Sequence, residues 1–139
     1  MTYSAIFSHA SRLREMGNRF ILAELGKAGL TDLAPSHGDV LVHLLACETC
    51  NMSDLAKRIR RTKSTVTTLV EKLERNGYVE RLPDPTDSRG VLVRLTGKGR
   101  ALEPAFTAIS SGLHGLLAQR LSDEEAALLE RLLAKCINA

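Results

Sequence analysis

Apolar residues recur every three or four positions at both ends of the chain, a period typical of amphipathic helices. The first such segment covers roughly residues 3–28, carries arginines between its apolar positions, and is closed by Gly29. A second helix is predicted over Pro35–Ala46, with Ser36 as its cap and Asp39 three residues later as a capping-box partner. Each helix has one apolar face, so each must pack against another part of the molecule.

Two short helices joined by a tight turn occupy the middle of the chain. Ser53 is predicted to cap the first, and the basic turn Arg60–Thr62 leads into the second, which begins near Lys63. Gly77 ends the second helix where a left-handed backbone is wanted. The apolar positions of the two helices are Leu55, Ala56, Ile59, Val66, Leu69, Val70 and Leu73. The arrangement is that of a helix-turn-helix.

The apolar period changes from helical to alternating after Gly77. The runs YVERL and VLVRL flank the turn-rich segment PDPTDSRG, which predicts a β-hairpin with a long loop. A hairpin that directly follows the second helix of a helix-turn-helix is a wing. The aspartates of the loop supply turn chemistry, and we expect the Asp87 carboxylate to hold an arginine guanidinium such as that of Arg89.

The remainder of the chain is predicted to be helical. Thr96 can cap a helix that runs toward Arg120, but Pro104 and the glycines of SSGLHG predict a kink or break in it. A last helix begins at Ser122, which forms a capping box with Glu125. Its apolar stripe consists of Leu128, Leu129, Leu132, Leu133 and Ile137.

Composition limits the possible classes of protein. At 139 residues the chain can form one domain with its own core, and with 4% aromatic residues and no Trp that core must be aliphatic. No apolar run approaches the length that crosses a bilayer, and the N-terminal segment lacks the apolar core of a signal peptide. We therefore expect a cytoplasmic protein without a membrane partner.

Charge is unevenly distributed along the chain. Residues 51–100 hold twelve lysines and arginines against six acidic residues, whereas the rest of the chain holds seven against ten. A basic middle between acidic flanks is typical of a module that binds a polyanion. The exposed face of the second short helix is small, hydroxyl-bearing and basic at its N-terminal half, which allows close approach to a DNA groove.

The predicted contacts to double-stranded DNA combine the turn, this exposed face and the wing. They are Ser53, Arg61, Thr62, Lys63, Ser64, Thr65, Thr67, Thr68, Lys72, Asp87 and Arg89. A winged helix used only for protein contacts is the alternative, and the basic face argues against it. An enzyme is not expected, because no nucleophile–base pair, phosphate loop or functional carboxylate pair is present, and no cofactor is predicted.

The segment from Met52 to Gly99 resembles the winged helix-turn-helix of the MarR (multiple antibiotic resistance regulator) family. SDLAKRI, KSTVTTLVEKLERNGYVER and above all DPTDSRGVLVRLTGKG carry the resemblance. Ser88 departs from it, because members commonly have arginine or lysine there. The flanking helices fit as well, so the resemblance extends over nearly the whole chain.

The resemblance implies a mainly helical homodimer with a small β-hairpin wing. Residues 1–34 and 100–139 would form the dimerisation helices and residues 35–99 the DNA-binding lobe of a single domain, 1–139. Each recognition helix would enter a major groove and each wing would place an arginine in the adjacent minor groove. The family function implied is a sequence-specific regulator, expected to be a repressor that a small phenolic or anionic effector releases from a pseudo-palindromic operator. Candidates for effector contacts are His9, Arg12 and His43.

Three cysteines raise a second possibility. His43, Cys47 and Cys50 are spaced so that they could meet a soft metal ion, and Cys47 and Cys50 form a CxxC pair, so the protein could be a thiol- or metal-responsive regulator. The alternative is that Cys47 packs in the core at a helix end and Cys50 is a turn residue. Three ligands are fewer than zinc usually takes, so no metal is assigned. Cys136 lies on an apolar helix face and is predicted to be buried.

Overall fold

The fold combines helices at both ends of the chain with a small central sheet. The computed structural model describes residues 4–138. In chain order the elements are α1 (Ser4–Lys27), α2 (Pro35–Cys47), β1 (Thr49–Asn51), α3 (Met52–Ile59), α4 (Lys63–Arg75), β2 (Val79–Pro83), β3 (Val91–Leu95), α5 (Gly97–Arg100), α6 (Glu103–Ala118) and α7 (Asp123–Ile137). The predicted start of the first helix, Tyr3, lies outside the described residues.

The sheet has three antiparallel strands in the order β1-β3-β2. The hairpin of β2 and β3 confirms the predicted wing, with Val79 opposite Leu95 at its base and Pro83 opposite Val91 at its tip. β1 was not predicted, because three residues between two helices are too few to show an alternating pattern. Its middle residue, Cys50, lies opposite Val93.

The core lies between α2, α3, α4 and the sheet. The side chains that are fully buried there are all aliphatic, as the composition predicts: Val40, Leu41, Leu44, Leu55, Val66, Val70, Leu73, Val79 and Val93. Each contributes about 1.5–3 kcal/mol by burial. Tyr78 closes one edge of the core and donates its hydroxyl to the carboxylate of Asp32, 3.0 Å away.

Two of the predicted helix caps are wrong. α2 begins at Pro35, so Ser36 lies inside the helix and Ala34 is the N-cap. The Nδ1 atom of His37 accepts from the backbone N–H of Ala34 at 3.0 Å and replaces the missing side-chain cap. α3 is capped by Asn51, whose side chain accepts from the backbone N–H of Asp54 at 2.8 Å, and Ser53 lies one residue inside the helix.

The end of α4 turns the chain into the wing. Gly77 has a φ of 82°. Its N–H donates to the carbonyl of Glu74 at 3.0 Å, and the N–H of Tyr78 donates to the carbonyl of Leu73 at 2.9 Å. These two bonds form a Schellman motif, which satisfies the last carbonyls of the helix and starts β2 directly after it.

The predicted long helix after Thr96 is divided in two. Thr96 caps the short α5, and α6 starts at Glu103 after a break that includes Leu102. Pro104 lies in the first turn of α6, where its missing N–H costs nothing. Gly112 stays inside the continuous α6, because its missing side chain leaves room for Phe20 of α1. A Cβ there would lie 2.6 Å from the ring.

The terminal helices form a separate layer with exposed apolar faces. The predicted capping box of α7 is confirmed: Ser122 and Glu125 exchange hydrogen bonds of 3.0 and 3.1 Å. No residue of α7 is buried. The exposed large apolar side chains of the two terminal helices include Ile6, Phe7, Met16, Leu22, Leu128, Leu132 and Ile137. Within residues 4–138, none of the helices is apolar enough over a sufficient length to cross a bilayer.

Candidate nucleic-acid interface

The N-terminus of α4 is built by a capping threonine. The side chain of Thr62 accepts from the backbone N–H of Thr65 at 3.3 Å, and the two hydroxyl oxygens lie 2.8 Å apart. Arg60, before the cap, adopts a left-handed conformation with φ 57° and ends α3. The tight turn therefore holds the first turn of α4 at the surface, with Lys63, Ser64 and Thr65 exposed.

Thr67 and Thr68 both bond back to the helix. The hydroxyl of Thr67 donates to the carbonyl of Lys63 at 2.9 Å, and that of Thr68 donates to the carbonyl of Ser64 at 3.1 Å. With the hydroxyl proton used inside the helix, each side chain presents an acceptor lone pair and a methyl group to its surroundings. These groups suit an exocyclic amino group or a thymine methyl in a major groove.

The basic residues in and before α4 differ in their solvent exposure and in their ion pairs. Lys63 and Lys72 are exposed on α4. The guanidinium of Arg61 is instead half-buried and lies 3.6 Å from the carboxylate of Asp39 in α2. Arg61 therefore joins the turn to α2 as well as lying beside the recognition helix.

The wing tip is shaped by its two aspartates. The Asp84 carboxylate accepts from the backbone N–H and the hydroxyl of Thr86 at 2.9 and 2.7 Å, and these bonds lower its pKa. Asp87 accepts from the backbone N–H of Arg89 at 3.0 Å. None of the described arginines forms the expected ion pair with Asp87, whose carboxylate caps the turn. A Cβ at Gly90 would lie 3.0 Å from that of Asp84, so a larger residue there would push the Asp84 side chain by a few tenths of an ångström.

A two-pronged ion pair ties the wing to the recognition helix. The Glu74 carboxylate of α4 accepts from Nε and an Nη atom of Arg81 in β2 at 3.2 and 3.0 Å, and from the Arg81 backbone N–H at 3.2 Å. These hydrogen bonds lower the pKa of Glu74 and raise that of Arg81. The pair fixes the angle between wing and helix.

An open groove of about 410 Å³ runs between the start of α3, α4 and the wing. Five of the predicted DNA contacts line it: Ser53, Lys63, Thr67, Asp87 and Arg89. The structure thus brings together residues that lie up to 36 positions apart in the chain. Asn51 and Arg81 also line the groove and were not predicted, because Asn51 ends the unpredicted strand β1 and Arg81 lies within β2 rather than at the wing tip.

A larger cavity of about 950 Å³ lies between the terminal layer and the DNA-binding lobe. Its walls come from α1, α2, the end of α3 and α6, and include the apolar residues Ile21, Leu25, Phe106 and Ile109. Four arginines line it: Arg14, Arg58, Arg60 and Arg61. Of the predicted effector contacts His43 lines this cavity, whereas His9 and Arg12 do not. Three of these arginines belong to the basic run AKRIRR, which could have indicated them, whereas Arg14 lies in α1.

The solvent exposure of each cysteine differs from the expectation. Cys47 is exposed at the end of α2, and Cys50 of β1 is half-buried against the core. Cys136, expected to be buried, is exposed, because no other element covers its face of α7 within the described residues. The Sγ of Cys50 lies 3.8 Å from Nε2 of His43. Burial raises the pKa of the Cys50 thiol to about 11, and the Cys47 thiol adds to the rise.

Comparisons with known proteins agree on one family. The MarR family model matches residues 33–91. The chain is 34% identical over 107 residues to the multiple antibiotic resistance protein MarR of Escherichia coli, a match that covers 76% of this chain and 74% of that protein. A mutant of E. coli MarR complexed with operator DNA is similar with a TM-score of 0.86 and 28% identity, covering 96% of this chain and 94% of the other. The MepR–DNA complex of S. aureus is similar with a TM-score of 0.83 and 31% identity, covering 99% and 97%.

Proposed function

The chain belongs to the MarR family of DNA-binding transcriptional regulators, and from this premise we propose that it is a homodimeric repressor released from its operator by a small anionic effector. The observation that carries the DNA-binding part is the groove between α3, α4 and the wing. Four side chains with phosphate- or base-binding chemistry converge there, those of Ser53, Lys63, Thr67 and Arg89. Occupancy of an operator that overlaps a promoter is sufficient to block transcription.

The recognition helix α4 is proposed to lie in a major groove. Thr68, with Thr67 beside it, offers acceptors and methyl groups to base edges. Lys63 and Lys72 neutralise phosphates at either end of the exposed face, and the free amides of the α4 N-terminus add a further phosphate contact. The two MarR-like structures complexed with DNA, E. coli MarR and S. aureus MepR, support this placement.

The wing is proposed to reach the adjacent minor groove through Arg89. The side chain is exposed at the tip of a loop whose backbone is fixed by Asp84 and Asp87. A narrow minor groove has an enhanced negative potential that attracts an inserted arginine. Asp87 therefore acts on DNA binding through the backbone that presents Arg89 rather than through a contact of its own.

Replacing Arg89 tests this part of the proposal. We expect Arg89→Ala to weaken binding to DNA from upstream of the protein's own coding sequence by about tenfold or more. The slope of log affinity against log salt should fall by about 1 per half-site. Arg120→Ala, which removes an exposed arginine after α6, is the matched control and should bind normally. Unchanged affinity of Arg89→Ala in a fluorescence anisotropy titration would remove the wing from the mechanism.

The exposed apolar faces of α1 and α7 support a homodimer. Phe7 is 76% exposed and Ile6 53% exposed on α1, and Leu132 is 48% exposed on α7. Both helices belong to the same layer as α6, so one partner surface could cover them together. A twofold-symmetric dimer of this kind would read half-sites about 10 bp apart.

The large cavity is proposed to bind the effector. Its four arginines outnumber its single carboxylate, Asp39, which lies beside Arg61, so the cavity favours an anion, and its apolar wall suits an aromatic ring. Because the cavity is lined from both the terminal layer and the DNA-binding lobe, a ligand that fills it changes the distance between the two. That distance sets the spacing of the recognition helices in the dimer, which is how effector binding would release the operator.

A further inference from the structure

Three potential metal ligands meet at the C-terminal end of α2. The ligand atoms of His43, Cys47 and Cys50 all lie within 4.8 Å of one another. We propose that these three side chains form a Zn²⁺ site, with a water molecule as the fourth ligand. Neither the DNA-binding surface nor the effector cavity requires the two thiols.

The distances already approach those of a bound ion. With Zn–S of about 2.3 Å and Zn–N of about 2.0 Å, tetrahedral coordination places sulfur and nitrogen about 3.6 Å apart and two sulfurs about 3.8 Å apart. The observed separation of Cys50 Sγ and His43 Nε2 is 3.8 Å. The largest separation in the cluster therefore has to shorten by about 1 Å at most. A rotation of the exposed Cys47 side chain can provide that change.

The scaffold holds His43 and Cys50 in place and leaves the exposed Cys47 side chain free to rotate. His43 and Cys47 are four residues apart on α2, so both project from the same face of the helix. Cys50 is fixed in the sheet opposite Val93. Glu48, between the two cysteines, has a φ of 64°, and this uncommon conformation turns the chain back so that Cys50 lies under the helix end.

The ligand set selects a thiophilic ion of intermediate softness. Two thiolates and one imidazole suit Zn²⁺, and three protein ligands with one open position are typical of zinc sites that keep a water molecule. Cys47 faces solvent, so water can reach the open position. On binding, the two thiols release their protons, and the ion with its two thiolates is neutral overall.

An ion at this position would reach two other parts of the molecule. His43 also lines the proposed effector cavity, and Cys50 belongs to β1, which pairs with the wing strand β3. Zn²⁺ would thus clamp the end of α2 to the sheet and hold the ring of His43 toward the thiols. This coupling rests on the proposed function, whereas the metal site itself does not.

Cobalt substitution tests the site without DNA or effector. The full-length protein is reduced, freed of reductant without oxygen, and titrated with Co²⁺ and then Zn²⁺. We expect one equivalent of Co²⁺ per chain to give a thiolate-to-cobalt charge-transfer band in the near ultraviolet and the visible bands of a tetrahedral ion. One equivalent of Zn²⁺ should abolish them. The absence of these bands would overturn the proposal.

Single substitutions assign the ligands. Cys47→Ser changes an exposed residue, so it should fold normally yet bind Co²⁺ at least about tenfold more weakly, since even an outer-shell partner is worth that much. Cys50→Ser and His43→Gln should do the same. The matched control is Cys136→Ser, which removes an exposed thiol outside the cluster and should leave the bands unchanged. Equal binding by Cys47→Ser and the unmodified protein, or loss of the bands in Cys136→Ser, would contradict the assignment.

Thiol titration separates the metal site from a redox pair. If Cys47 and Cys50 form a disulfide that survives the reduction step, one reactive thiol per unfolded chain will be counted instead of three, and the proposal is overturned. Three reactive thiols together with the cobalt bands support it. DNA binding is measured separately with and without Zn²⁺, so a failure of the proposed regulator leaves the result on the metal site intact.

Discussion

The hydroxyl-bearing residues around the start of α4 differ in what their hydroxyl groups contact. Thr62 is the helix cap, so its oxygen is occupied by the N–H of Thr65. Thr67 and Thr68 donate back to the helix and keep an acceptor and a methyl group free. Ser64 is exposed. Replacement of Thr62 would therefore act on folding, whereas replacement of Thr68 would act on base preference.

His37 makes the stability of the DNA-binding lobe depend on pH. Burial of the ring lowers its pKa below the ordinary value of 6.5, Lys72 lowers it further, and Asp32 opposes the change. The unfolded chain therefore binds a proton more readily than the folded chain. Stability is constant above about pH 6.5 and falls as the pH drops toward the folded pKa, by at most about 1.4 kcal/mol per pH unit for this one group.

A glutamine variant isolates this effect. His37→Gln can still accept the hydrogen bond of the Ala34 N–H from its amide but does not titrate. Urea unfolding at pH 7.5 and at pH 5.5 should therefore show a smaller loss of stability in the variant than in the unmodified protein. Equal losses in both proteins would mean that His37 does not carry the pH dependence.

The ion pair of Glu74 and Arg81 joins the recognition helix to the wing. We expect Glu74→Gln to lower the free energy of unfolding by about 1 kcal/mol, since the pair is about one third exposed and screened by solvent. DNA affinity should fall several-fold as the wing loses its fixed angle to α4. Urea unfolding and an anisotropy titration measure the two effects.

Glu71→Gln is the matched control for this ion pair. It removes the same charge from an exposed position of the same helix, and Glu71 has no ion pair among the described residues. If the loss of one negative charge alone governed DNA affinity, both variants would bind DNA more tightly. Weaker binding by Glu74→Gln alone would show that the geometry of the wing dominates.

Elements with a strong local signal were predictable from the sequence, and contacts between distant segments were not. The period of Val66, Val70 and Leu73 and the turn chemistry at Gly77 determine α4 and its end locally. β1 exists only because β3 pairs with it, whereas the break before Glu103 was expected from Pro104, which lies in the first turn of α6. The groove residues of α4 and the wing were predicted by type, but Asn51 and Arg81 join them through the fold alone.

At the scale of the whole molecule, the cavity between the two layers is where a ligand can act on DNA binding. We expect 4-hydroxybenzoate, a phenolic anion, to bind there and Arg14→Ala to weaken its binding by about tenfold, the value of a charge-assisted hydrogen bond. Arg12→Ala is the matched control, because Arg12 lies on the same helix but does not line the cavity. Calorimetry measures both, and equal weakening would place the ligand elsewhere.

Dimerisation is the property on which the proposed mechanism depends as a whole, because a monomer has no spacing between recognition helices to change. Leu132 of α7 is 48% exposed within one chain, so Leu132→Asp should fold but bury a charge in any dimer that covers this face. We expect sedimentation velocity to show a shift from dimer to monomer, with operator affinity falling accordingly. Ala127→Asp places the same charge on the opposite side of α7, where the helical period puts it away from the leucine stripe. If this control dissociates the dimer and Leu132→Asp does not, the partner surface is on the other side of the helix.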